Sequence, residues 1–124
     1  MDRALIQSQV THVASILQRR RLPLTREAWL QTCILQALQD AEVPAVAEVK
    51  LGPGNRIDFV AYEKIGIEVK VGTYSAAEVA RQLRRYCEFP QLEAIVLVSS
   101  KTFDFRRVDF AKPVVTVSLA GAWL

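Results

Sequence analysis

Between residues 3 and 19, apolar side chains recur at Ile6, Val10, Val13 and Leu17, a spacing of three and four that predicts an amphipathic helix. It runs into the basic stretch Arg19, Arg20, Arg21, and Pro23 ends it. A second helix is predicted over 26–41, with Thr25 as its N-cap and Leu30, Ile34, Leu38 and Ala41 on its buried face. The period then changes from helical to extended. Residues 46–51 predict a strand, GPGN at 52–55 a turn, and 57–62 and 65–71 two further strands. Ser75 can cap a helix over 76–88 whose inner face carries Val79, Ala80, Leu83 and Cys87. The apolar run AIVLVSS at 94–100 suits a central strand, and PVVTVSL at 113–119 a last one. The predicted order is α-α-β-β-β-α-β-β, an α/β fold with a mixed central β-sheet flanked by helices.

Composition narrows the classes open to such a fold. A chain of 124 residues with 51% hydrophobic content is one domain with a real core. Its parts are an N-terminal helical extension at 1–24, a core at 25–100, and a C-terminal strand and tail at 101–124. No run of about 18 apolar residues could span a membrane, and MDRALIQSQV lacks a secretory apolar core, so a soluble cytoplasmic protein is expected. The net charge of +3, with Arg the commoner base, tilts toward an anionic partner. Cys33 and Cys87 have neither zinc-site nor disulfide spacing and are expected to be buried thiols. With His12 the only histidine, a His-based metal cluster or a Ser/His/Asp triad is almost excluded.

Three polar residues interrupt otherwise apolar strands in RIDFVAYEKIGIEVKVG: Asp58, Glu68 and Lys70. Side chains alternate across a strand, so Glu68 and Lys70 share a face and Val69 takes the other. Asp58 joins them if the connecting loop has an odd number of residues, as Tyr62, Glu63 and Lys64 would provide, whereas a two-residue loop would separate them. Apolar residues occupy both faces, so periodicity leaves the choice open; the odd loop gives the charges a common purpose. Two neighbouring carboxylates coexist when a hard divalent cation lies between them, and a lysine beside such a cation can orient water and stabilise charge on phosphorus.

With Ile57-Asp58 entering one strand and Glu68-Val69-Lys70 on the next, the chain resembles the PD-(D/E)XK nuclease superfamily over roughly residues 25–100. The resemblance implies a restriction-endonuclease-like core and Mg²⁺- or Mn²⁺-dependent hydrolysis of DNA. Asp58, Glu68 and the Val69 carbonyl would hold the metal, Glu27 would add a first-helix acid, and Lys70 would position water. RQLRRY, with Gln82 and Tyr86 four apart on one helix face, is similar to the QxxxY of RecB-like members. The run from REAWL through GPGN to GIEVK looks like archaeal Holliday junction resolvases. Ile57 stands where that family has proline.

Plainer readings accompany each residue. Glu27 also suits a helix's first turn, and Glu48 is a rival third acid. Gln82 and Tyr86 fit helix-flank packing as well as substrate contact. Arg81, Arg84 and Arg85 beside Glu78 and Glu88 read by default as a salt-bridged helix surface. For phosphate contact, Arg56 and Arg85 are the candidates. The alternative function is a non-catalytic nucleic-acid-binding module of the same fold. A homodimer would supply two sites for two strands, through the N-terminal helix or Ala122, Trp123 and Leu124.

Overall fold

A computed structural model describes residues 3–20, 22–23 and 26–119. The elements follow in the order α1 (Arg3–Arg19), α2 (Glu27–Asp40), β1 (Ala45–Gly52), β2 (Asn55–Ala61), β3 (Ile65–Lys70), α3 (Ala76–Cys87), β4 (Ala94–Ser99) and β5 (Val114–Ser118). They build an α/β domain around a five-stranded mixed sheet ordered β1-β2-β3-β4-β5. The first three strands form an antiparallel meander, whereas β3–β4 and β4–β5 are parallel. Parallel neighbours require crossovers, which α3 supplies between β3 and β4.

Each face of the sheet carries its own core. On one face α1 and α2 bring Val10, Val13, Leu17, Leu30, Ile34 and Leu38 against Phe59, Ile67, Val69, Val96 and Val98. On the other, Val79, Leu83, Tyr86 and Cys87 of α3 meet Val60, Ile95 and Leu97. The segment 100–113 between β4 and β5 forms no helix and closes this second face with Phe103, stacked on Phe105 at 5.6 Å. No described helix is long and apolar enough to cross a membrane.

Local chemistry explains the boundaries. Ser75 caps α3 as expected, its hydroxyl accepting from the Glu78 N–H at 3.1 Å. Thr25, the cap expected for α2, lies outside the described residues; the position before the helix is Arg26, which makes no side-chain cap bond. At the other end of α2, Glu42 adopts φ 59 while the Val43 N–H reaches the Leu38 carbonyl, a left-handed helix stop of the kind usually given to glycine. The GPGN turn is tighter than expected: Gly52 pairs with Asn55, leaving Pro53 and Gly54 as the turn. The loop between β2 and β3 does consist of Tyr62, Glu63 and Lys64, with positive φ at the first two. Cys33 proves only half-buried, and Cys87 is buried; both are free thiols.

Gly66 leaves room on β3 for the side chains of Ile57 and Leu92. A Cβ there would stand 2.6 Å from Ile57 Cδ1 and 3.2 Å from Leu92 Cδ1, so a side chain would force the Ile57 and Leu92 tips to repack.

Candidate active site

The sheet forks at Asp58. Pairing of β2 with β3 ends at Phe59↔Ile67, yet β2 continues along β1 through Ile57 and β3 continues along β4 through Lys70↔Ser99. Backbone groups at a fork lose ladder partners, and buried groups need replacements. Side chains supply them: the Asp58 carboxylate accepts the Val69 N–H at 2.7 Å, and Glu68 Oε1 accepts the Asp58 N–H at 3.4 Å. Each acid thus bonds the backbone of the other's strand. Lys70 Nζ lies 2.9 Å from Glu68 Oε2, on the same side of β3 as the spacing required.

Burial decides the electrostatics. Glu68 is 4% exposed, and its carboxyl is pushed up to about 7, mainly by burial and then by the Asp58 charge, against the opposing pull of Lys70. Asp58 is also raised, chiefly by burial, with the Val69 N–H, Lys70 and Glu68 drawing it back and Glu48 adding to the rise. Glu27 at the start of α2 is raised by burial and by Asp58, and lowered by Lys70. Glu27 therefore lies within electrostatic reach of both. Removing water from two facing carboxylates costs more than one ammonium returns.

The charged groups meet, and a hollow lies on either side of them. Asp58 lines a hollow beneath α2 with Gln31, Thr32 and Glu48, whereas Lys70 lines another beside α3 with Tyr74, Arg81 and Gln82. Glu68, buried, contacts both the Asp58 backbone and the Lys70 amine.

Comparisons with protein-family models, with curated proteins and with solved structures return no match. What the arrangement can do follows from its own chemistry.

The donor set is hard oxygen. Two close carboxylates with raised pKa values gain from a small divalent cation, which relieves their repulsion and replaces bound protons. Among the described residues no three acidic, His or Cys groups stand close enough to form a cage by themselves. The set fits an ion such as Mg²⁺, which is held by one or two carboxylates and keeps several waters. Of the two rival third acids, Glu27 senses both Asp58 and Lys70, while Glu48 is exposed and left-handed at φ 54, between the pairs Ala47↔Phe59 and Val49↔Ile57.

The two helix residues differ in burial. The Tyr86 ring is 2% exposed, and its hydroxyl donates to the Arg56 carbonyl at 3.1 Å and accepts from Gln82 Nε2 at 3.0 Å. That chain of bonds fixes α3 to β2 and leaves Gln82 as the more accessible of the pair. Burial, Glu68 and Asp58 all push the Tyr86 hydroxyl up, so it stays a neutral donor. The expected salt-bridged surface on α3 is absent among the described residues: Arg85 instead donates from Nε to Asn55 Oδ1 at 2.7 Å, and Glu78 is held by the Ser75 hydroxyl at 2.8 Å.

Two contributors escaped the sequence reading. Tyr74 places its ring face 5.0 Å from Lys70 Nζ, a cation–π contact that adds to the Glu68 pair in holding the ammonium. Asn55 orients Arg85 from thirty residues away. Tyr74 follows Gly72 in a loop and Asn55 ends a turn, contexts that carry no chemical signal in one sequence.

Proposed function

We propose that this chain is a metal-dependent nuclease of the PD-(D/E)XK type, with a restriction-endonuclease-like core, that hydrolyses DNA phosphodiester bonds. One observation carries the reading: Asp58, Glu68 and Lys70, from two strands, assemble at a fork in the sheet and share hydrogen bonds and charge. A purely structural role explains it poorly, because an apolar strand pair would serve stability better than a buried carboxylate flanked by two half-buried charges.

In this reading Asp58, Glu68 and the Val69 carbonyl would hold Mg²⁺ or Mn²⁺, with Glu27 as the additional acid acting from within electrostatic reach. A divalent ion there supplies Lewis acidity toward a phosphoryl oxygen. Lys70, steadied between Glu68 and the Tyr74 ring, orients the attacking water and stabilises negative charge developing on the phosphorus oxygens. Glu68 holds the ammonium in place. Arg56, Gln82 and Arg85 hold phosphates without reading bases. The proposal includes a cytoplasmic setting and, for cutting both strands of a duplex, a two-fold dimer. The C-terminal contact Ala122, Trp123 and Leu124 lies outside the described residues.

A second reading is a non-catalytic nucleic-acid-binding module. The closed Glu68–Lys70 pair and the backbone bonds of both acids favour it, since that arrangement is satisfied without a metal. Labelled branched, single-stranded and duplex DNAs incubated with and without Mn²⁺ separate the two. Mn²⁺-dependent cleavage of any of them that disappears in Lys70→Ala supports the nuclease. Binding without cleavage across the panel supports the module.

A further inference from the structure

Several cations without an acidic partner lie side by side. Lys50 and Arg56 on the β1–β2 hairpin and Arg85 on α3 surround a cavity of about 450 Å³, with Gly54 and Gln82 completing its wall. A second cavity of about 250 Å³ continues past Gln82 and Arg85 to Arg81, Tyr74 and Lys70. Gln82 and Arg85 line both, so the two form one track from the hairpin to the amine at the fork. Among the described residues, Lys50, Arg56, Arg81 and Arg85 have no acidic partner within ion-pair distance. The one acid lining either cavity is Glu78, whose carboxylate is bound by the Ser75 hydroxyl.

The hairpin end is also built. Asn55 Oδ1 takes the Arg85 Nε–H, and Asn55 Nδ2 in turn donates to the Pro53 carbonyl at 3.0 Å. This holds the guanidinium by its inner edge and leaves its outer nitrogens to the cavity, the fork geometry that matches phosphate. Tyr86 ties the Arg56 backbone to the same helix. Four cations left unneutralised, with the Arg85 guanidinium braced, store repulsion that a polyanion would relieve.

We infer that the face between the β1–β2 hairpin and α3 is a phosphate-tracking groove for the backbone of one nucleic-acid strand, with Lys50, Arg56 and Arg85 forming an anion site remote from the chemistry at Lys70. The inference rests on the nuclease reading for its ligand but not for its test. A strand in this groove contacts the protein through phosphate, independently of base sequence, and leaves the fork toward the hairpin.

The test is salt-dependent binding of a fluorescent oligonucleotide, in Ca²⁺ to suppress cleavage. Lys50→Gln/Arg56→Gln/Arg85→Gln should weaken binding more than tenfold at 0.1 M salt and reduce the log–log salt slope by about two, since each lost phosphate contact removes about 0.7–0.9. Arg3→Gln/Lys64→Gln/Arg107→Gln, with the same charge change elsewhere, should leave the slope within about half a unit of the parent. Asn55→Ala keeps every charge but frees Arg85; it should weaken binding severalfold, a loss that diffuse charge attraction would not produce. Thermal unfolding checks that each variant is folded. Equal slope losses in both triple variants overturn the groove, even if the parent cleaves DNA in Mn²⁺. A slope lost only in the groove variant upholds it, even if the parent cleaves nothing and the nuclease reading falls.

Discussion

Asp58 accepts the Val69 N–H through its carboxylate at 2.7 Å, so a side chain performs the task of a strand carbonyl at the point where β2 leaves β3. This ties the acid to stability as well as to chemistry. Asp58→Ala strands the Val69 N–H and should cost about 1–3 kcal/mol in urea unfolding. Asp58→Asn retains an acceptor and removes a repelling charge, so it should unfold at or above the parental midpoint while losing cation binding and turnover. An Asn variant as unstable as the Ala variant would show that the carboxylate charge, not the acceptor, holds the fork.

Stability should depend on pH through Glu68. Its carboxyl is raised from 4.5 to about 7 in the fold, so between those values the native state binds more protons than the unfolded chain. The contribution is fully present below pH 4.5 and is lost as pH rises to about 7, a fall of about 3 kcal/mol for the metal-free protein. Asp58, also raised, acts in the same direction. Denaturant titrations across this window should show that slope, and Glu68→Gln should flatten most of it.

Cations should reverse that loss. At pH 8 the carboxylates are ionised and repel, so Mg²⁺ or Mn²⁺ should raise the melting temperature by several degrees; at pH 5 protons compete and the shift should nearly vanish. EDTA should abolish both the shift and cleavage. Calorimetry in two buffers of different ionisation enthalpy, near pH 6, should detect proton release on binding. A shift as large in Asp58→Asn as in the parent would place the ion elsewhere.

Lys70→Ala should lower single-turnover cleavage about 10²-fold or more with oligonucleotide affinity in Ca²⁺ nearly unchanged, because the ammonium matters most when charge develops at phosphorus. Parental cleavage in this variant would make Lys70 an ordinary strand lysine.

The rival acids should separate by substitution. Glu48 holds φ 54 inside β1, a backbone region costing a non-glycine residue about 1–2 kcal/mol. Glu48→Gly should therefore stabilise the protein by up to about 1 kcal/mol in urea unfolding and leave cation affinity largely intact. Glu27→Gln should weaken cation binding severalfold with little effect on unfolding.

The sequence by itself determined the element order, because helical and strand periods reflect which side chains each element buries, and those patterns survive without neighbours. It also placed Glu68 and Lys70 on one side of β3, since alternation along a strand is local geometry. The position of Asp58 was a choice between loop lengths that periodicity left open. Ile57 packs on the α3 face and Phe59 on the α1–α2 face, so alternation breaks at Asp58 itself. That irregularity arises from the fork, where pairing with β1 and the departure of β3 pull the backbone two ways. The split into two cavities, the buried anchoring of Tyr86, the Tyr74 contact to Lys70 and the Asn55 brace on Arg85 likewise depend on elements distant in the chain. Tertiary packing alone decided them, because a single sequence records what a side chain is but not which remote partner satisfies it.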